Sequence, residues 1–188
     1  YMLNRKSPKD GNFNVFPKDK YVHNILLKLD EFLKIHIESQ IKNGASIIQI
    51  FDSWAGLLPE KDLEYFVYKP IKSLVDFIRQ KKTISICFPR NINNYKQFVK
   101  SVNPDVISID YNIDPLTIRD TVDITVQGGL DPKILLQNKD IVRNEVTKYL
   151  KTFDKKRYIF NLGHGVLPET NPDMVRYLVD EVRSFNGQ

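Results

Sequence analysis

The chain has 188 residues, 41% of them apolar and 27% charged, with a formal net charge of +5 and a lone cysteine, Cys87. That suffices for one sizeable core and excludes an internal disulfide framework or a site built on several thiolates. The apolar runs are too short to span a bilayer, no charged-then-apolar leader is present, and the basic clusters (Lys81-Lys82 after Arg79, Lys155-Lys156-Arg157) are short and not interleaved with aromatics; the expected setting is the cytoplasm, with no membrane and no nucleic acid as partner.

Residues 1–18, with Pro8, Gly11 and Pro17 among polar neighbours, read as a loop. From Asp19 onward, Val22, Ile25, Leu26, Leu29, Phe32, Leu33, Ile37 and Ile41 recur at helical spacing, and Asn43-Gly44 ends the helix. Ser46 to Phe51 is a short apolar run bounded by turn signals, a buried strand. The alternation then repeats. A helix is predicted over Leu63–Gln80, a strand over Thr83–Phe88, a helix over Asn94–Val102 and a strand over Val106–Asp110. After a turn or short helix at Pro115 come a strand over Val122–Val126, helices over Pro132–Leu136 and Ile141–Leu150, and a strand over Tyr158–Leu162. The final helix is the best marked: Asn171 caps it, Pro172 takes its first position, and apolar residues run from Val175 to Val182.

Strands separated by helices or long connections predict α/β architecture with parallel strands. No Gly-x-Gly-x-x-Gly follows the first strand, so a dinucleotide fold has no support. A (β/α)8 TIM barrel is the better expectation, and such a barrel takes about 250 residues. The chain would then be the C-terminal portion, residues 1–188, of a single barrel domain, holding about five of its βα units. It begins at Tyr1 rather than at a methionine, and reads as a cut inside a longer protein.

In a barrel the chemistry sits just beyond the carboxyl ends of the strands. The polar residues there are Asp52, Ser53, Arg90, Asp110, Gln127, Asn161 and His164. His164 is flanked by Gly163 and Gly165, whose size allows a close approach of backbone to ligand; it would donate a hydrogen bond or hold a carboxylate, or else be a plain surface histidine. Ser53 lacks a nucleophile elbow, so it reads as a helix cap or a hydrogen-bond donor. For Asp110 the default is a solvated or ion-paired carboxylate. His23 and His36, inside the first helix, read as structural or solvated. No metal-ligand set is visible.

These same loops carry a resemblance. Gly44-Ala-Ser-Ile-Ile-Gln-Ile-Phe-Asp-Ser-Trp-Ala-Gly56 resembles the central signature of the uroporphyrinogen decarboxylases, and Gln127-Gly-Gly-Leu-Asp-Pro132 resembles their Gln-Gly-Asn-Leu-Asp-Pro loop. Phe160-Asn-Leu-Gly-His-Gly-Val-Leu-Pro-Glu-Thr170 is similar to their C-terminal signature, and Tyr1-Met2 to a Tyr-Met before the middle of the barrel. The resemblance implies a barrel that is usually a homodimer, needs no metal or organic cofactor, and removes carbon dioxide from the four acetate side chains of uroporphyrinogen to give coproporphyrinogen. By the same resemblance, Tyr1, Ser53 and His164 line the substrate pocket, Ser53 and His164 hydrogen-bonding carboxylates. The family's proton-transfer and charge-stabilising residues would lie upstream of Tyr1, so no catalytic residue is expected in this chain. The sequence departs from the family pattern at Gly129, usually Asn, and at Asn171, commonly Pro.

Two rivals stand beside this reading. The zinc-dependent corrinoid methyltransferases share the barrel, but take zinc on a His-x-Cys at a strand end plus a later cysteine; the corresponding place here is Ser85-Ile86-Cys87, and the chain has one cysteine. The other is a catalytically inactive fragment of the decarboxylase.

Overall fold

The structure is a computed structural model that describes residues 17–153 and 157–185. Tyr1 therefore lies outside the described residues, as does most of the leading loop. The chain divides into two compact units, Tyr1–Pro104 and Asp105–Gln188.

In the first unit, helix α1 spans Lys20–Lys42. It starts where Asp19 Oδ1 accepts the Val22 N–H at 2.8 Å, a cap of the kind that contributes about 1 kcal/mol. It stops where Asn43 donates its side-chain amide to the Ser39 carbonyl at 2.8 Å and Gly44 turns to φ 101°. Strand β1 (Ile47–Asp52) pairs in parallel with β2 (Ile84–Pro89), from Ile47 opposite Ile84 to Asp52 opposite Pro89. Ile37 of α1, Ile48 of β1 and Leu74 and Ile78 of the connecting helix form one core cluster. Lys34 locks the two helices further, donating to Asp30 at 2.6 Å and to Ser73 at 2.7 Å.

The connection between β1 and β2 is helical over 60–80 but is not one regular helix. It runs as α2 (Glu60–Leu63), a single π turn (Glu64–Tyr68) and α3 (Lys69–Gln80). At the junction the Lys69 N–H reaches back to the Glu64 carbonyl. Pro70 follows immediately; it has no N–H to donate, and its ring crowds the carbonyl four residues earlier, so a widened turn relieves it. Helix α4 (Tyr95–Val102) is capped by Asn94 and ends in a left-handed Asn103. The Phe98 ring meets Tyr68 of the π turn edge-on at 5.5 Å.

Much of the periodic face of α1 stays uncovered: Val22 and Ile37 are buried, but Leu29, Phe32 and Leu33 are exposed, Phe32 at 67%. Helical spacing identified the helix correctly while overstating what it buries within this unit.

The second unit holds β3 (Val106–Ile109), α5 (Pro115–Thr121), β4 (Thr125–Gly128), a 3-10 turn (Pro132–Leu136), α6 (Lys139–Thr152), β5 (Tyr158–Ile159) and α7 (Pro172–Ser184). Its strands are parallel, Val106 opposite Thr125 and Val126 opposite Tyr158. Asp114, Asn138 and Asn171 each cap the helix that follows. Asn171, the departure from Pro noted above, thus takes up the Asp173 N–H at 2.9 Å, which a proline side chain would leave without a partner. Ile107, Ile109, Leu130, Leu135, Val142 and Val146 are fully buried and form the layer between strands and helices.

Two strands differ from expectation. β4 begins at Thr125 rather than Val122, because Val122 closes α5, donating its N–H to the Ile118 carbonyl at 3.2 Å. β5 ends at Ile159, after which the chain meets β4's continuation again at the isolated bridge of Leu130 with Leu162. The α/β class with parallel, crossover-connected strands holds in both units.

Candidate functional site

In the first unit the loop after β1 and the loop after β2 are joined by backbone. The Arg90 N–H donates to the Asp52 carbonyl at 3.0 Å, and the Gly56 N–H donates to the Arg90 carbonyl at 3.0 Å. These bonds extend the strand pairing past its last residues, so Ser53 and Arg90 sit on adjoining, clamped segments. Gly56 is required for the approach: a Cβ there would lie 2.1 Å from the Asn91 carbonyl oxygen.

Ser53 does not cap the short helix that follows it. The capping position of the turn Ala55–Leu57 is Trp54, and no side chain bonds there. Asp52 does the local work instead, its Oδ1 accepting the Trp54 N–H at 3.3 Å. The cap reading of Ser53 is therefore corrected. Its hydroxyl, half-buried, makes no hydrogen bond among the described residues.

Burial pushes the Asp52 carboxyl above its ordinary value, and the Trp54 and Ala55 N–H groups partly oppose that. A raised carboxyl stabilises the fold fully below its unfolded value, and that contribution is lost as pH rises through the folded value. Asp52→Asn keeps the acceptor for Trp54 but cannot titrate. The variant is therefore expected to gain stability relative to the native protein as pH rises from about 4 toward neutrality. Urea midpoints of both proteins across that range test this. Carboxylates lowered by their partners, such as Glu181, give the opposite slope in both proteins and cancel in the difference; parallel curves would sink the assignment.

In the second unit three strand ends converge. Asp110, just past β3, is 1% exposed, and its Oδ1 accepts the Asn112 N–H at 2.8 Å. It shapes the turn from inside the protein; of the two expected roles, solvated or ion-paired, burial removes the solvated one. Gln127 of β4 is also buried and donates to Ser108 of β3 at 3.2 Å, directly across the ladder. Gly128 and Gly129 then turn to φ 90° and 114°. Their carbonyls are latched by two tyrosines: Tyr158 donates to Gly128 at 3.0 Å and Tyr149 to Gly129 at 2.7 Å. Burial, with nearby carboxylates, pushes the Tyr149 phenol up to about 12, and burial raises Tyr158 too, so both stay neutral donors. A Cβ at Gly129 would lie 2.9 Å from the Tyr149 ring, so Gly129, in place of the family's Asn, fits this latch.

After β5, Asn161 accepts the Leu162 N–H at 2.8 Å, and the Gly163 N–H donates to the Leu130 carbonyl at 2.8 Å. A Cβ on Gly163 would meet the Tyr111 nitrogen at 2.4 Å, whereas one on Gly165 would meet nothing within 4 Å. The small residue before His164 thus serves contact with the protein's own backbone. His164 itself is exposed, and among the described residues it forms no hydrogen bond. His23 and His36 are exposed on α1, His36 contacting Gln40 at 2.9 Å.

Sequence reasoning missed the tyrosine latches. Tyr149 follows Val142 and Val146 at helical spacing, which marks a buried face and says nothing of the carbonyl it reaches. Cys87 is wholly buried in β2, and among the described residues no group of three or more His, Cys, Asp or Glu is placed to hold a metal ion. Among them, too, no helix is long and apolar enough to cross a membrane.

The family model for uroporphyrinogen decarboxylase matches residues 14–185. The uroporphyrinogen decarboxylase of Rickettsia bellii is 40% identical over 198 residues, covering 98% of this chain and 56% of that protein. Those of Rickettsia felis and Rickettsia africae are each 36% identical over 194 residues with the same coverage. The chain thus spans about half the length, 56%, of these relatives. A solved thiamine phosphate pyrophosphorylase from Pyrococcus furiosus overlaps 88% of this chain and 92% of its own at a TM-score of 0.31 and 14% identity. With a family model matching residues 14–185 and relatives 36–40% identical over 98% of its length, the chain belongs to the uroporphyrinogen decarboxylase family.

Proposed function

We propose that this chain forms the carboxylate-binding wall of a uroporphyrinogen decarboxylase, as the C-terminal portion of a single (β/α)8 barrel domain. The observation that carries the reading is the placement of Ser53 and His164: each follows a parallel strand, on a loop held by a glycine close approach, with no hydrogen bond among the described residues. Such groups are preorganised donors for an anionic ligand. The substrate would be uroporphyrinogen, a polycarboxylate, and the net charge of +5 suits it.

The reaction needs no cofactor. Protonating the pyrrole carbon next to the one that bears the acetate makes the ring an electron sink. The bond between the acetate methylene and its carboxylate then breaks, carbon dioxide leaves, and the electron pair enters the ring. A proton added to the methylene gives the methyl group, and loss of the ring proton restores the pyrrole. Ser53 and His164 would hold carboxylates through both transfers, Tyr1 would stand near the reacting pyrrole, and the proton-donating groups would lie upstream of Tyr1. The working form would be a cytoplasmic homodimer.

The test is anaerobic incubation with uroporphyrinogen, separating oxidised products by carboxylate number. The present chain alone is expected to give none, and the protein at the full length of its family is expected to give the complete series. In that longer protein His164→Ala and Ser53→Ala should each lower kcat/KM by about tenfold or more, a hydrogen bond to a charged group contributing about 1.5–3 kcal/mol. Decarboxylation by the chain alone would overturn the upstream placement. Native kcat/KM in both variants would overturn the binding wall.

A further inference from the structure

Five buried side-chain polar atoms lack a hydrogen-bond partner among the described residues: Asp30 Oδ1, the hydroxyls of Tyr68, Thr170 and Tyr177, and Arg90 Nε. Arg90 differs from the others in charge and in place. It is the cation among them, and it stands directly after β2, on the segment clamped to the Ser53 loop.

Three observations bear on what Arg90 does. Its backbone is fixed from both sides, by Asp52 and by Gly56 at 3.0 Å each, so little backbone freedom remains to be lost when its side chain binds something. Its guanidinium makes no side-chain hydrogen bond or ion pair among the described residues, although a buried guanidinium donor without an acceptor is costly. Asp52, whose carbonyl accepts the Arg90 N–H, takes the Trp54 N–H on its Oδ1 and forms no ion pair with the Arg90 guanidinium among the described residues.

We infer that the Arg90 guanidinium is a substrate-binding group, holding a carboxylate of the bound tetrapyrrole on the same rim as Ser53. The planar fork of arginine matches a carboxylate with two parallel hydrogen bonds, and a half-buried site strengthens them. Arg90 supplies the positive charge and Ser53 a neutral donor from the adjoining loop. This assignment rests on the function proposed above.

The experiment is steady-state kinetics with uroporphyrinogen, in the full-length enzyme, for Arg90→Gln and Arg90→Lys. Arg90→Gln is expected to raise KM at least tenfold with a smaller change in kcat, and Arg90→Lys to recover part of the loss by restoring charge without the fork. The rise of KM with salt should be shallower in Arg90→Gln than in the native enzyme, because one screened ion pair has been removed. A structural role would not flatten that dependence, so a raised KM with an unchanged salt slope overturns the assignment, as does a native KM in Arg90→Gln. If Arg90→Gln does not fold, Arg90→Lys decides: a native KM with charge alone at that position overturns the paired-fork contact, and a raised KM with a native unfolding midpoint supports it. A native enzyme that neither binds nor converts uroporphyrinogen would instead remove the proposed function, leaving the two failures distinguishable.

Discussion

Gly163→Ala, in the full-length protein and on the function proposed above, is expected to lower kcat/KM for uroporphyrinogen on the order of 100-fold while leaving the second unit folded. The added Cβ would lie 2.4 Å from the Tyr111 nitrogen and 2.8 Å from the Asp110 carbonyl carbon. Both neighbours are backbone, and Asp110 is fixed by its own bond to the Asn112 N–H, so the loop after β5 must move instead. The movement breaks the 2.8 Å bond from the Gly163 N–H to Leu130 and carries His164 with it. One lost bond costs about 1 kcal/mol of stability, but a displacement of about 1 Å at a binding group can cost two orders of magnitude in rate. Gly165→Ala is the matched control, because its Cβ meets nothing within 4 Å and its backbone needs no positive φ. Its kcat/KM should stay within about twofold of native. Equal activity in the two variants would mean that the position of His164 does not matter to the reaction.

Capping residues and glycines made most of the helix boundaries legible in the sequence. Asn171 announces its helix as a cap, and Asp19 and Asn94 mark where helical runs begin; each accepts a backbone N–H in the first turn. The boundaries that were misread lie where two local signals compete. Val122 and Ile124 look like strand residues, yet Val122 ends α5, and only the pairing of Thr125 with Val106 marks where β4 starts. The π turn was hidden because helical spacing tolerates one extra residue; Pro70 was the available clue. The exposed face of α1 could not be foreseen either, because periodicity reports that a face is apolar and not what covers it.

The site was legible as positions and not as mechanics. Ser53, Arg90 and His164 follow from the strand-end rule, and the motifs around Ser53 and His164 supply their chemistry. What holds them did not follow. The clamp between Asp52, Arg90 and Gly56, the seating of Gly163 on Tyr111, and the tyrosine latches on Gly128 and Gly129 all join residues distant in sequence. Such contacts depend on strand register and loop height, which no local pattern encodes. Gly163 shows the consequence: its small size suggested room for a ligand, and the space is taken by the protein's own chain.

Gly56→Ala is the stronger perturbation in the first unit. Its Cβ would lie 2.1 Å from the Asn91 carbonyl oxygen, 2.5 Å from that carbonyl carbon and 2.6 Å from the Asn91 Cβ. No side-chain rotation relieves backbone contacts this short, so the β1 and β2 loops must separate. Separation breaks the 3.0 Å bond from Gly56 to Arg90 and strains the one from Arg90 to Asp52. Ala55, 1% exposed beside it, is pulled from its packing as well. Overpacking of this kind costs about 1–3 kcal/mol, and the lost bonds add about 1 kcal/mol more. The urea midpoint should therefore fall clearly, and in the full-length protein of the proposed function kcat/KM should fall further than in Ser53→Ala, because Ser53 and Arg90 are displaced together. Ser53→Ala separates the two effects: its hydroxyl supports no hydrogen bond among the described residues, so its midpoint should match the native protein while its kcat/KM drops. A Gly56→Ala protein with native midpoint and native KM would show that the two loops are not clamped in solution, and would remove the basis for pairing Ser53 with Arg90.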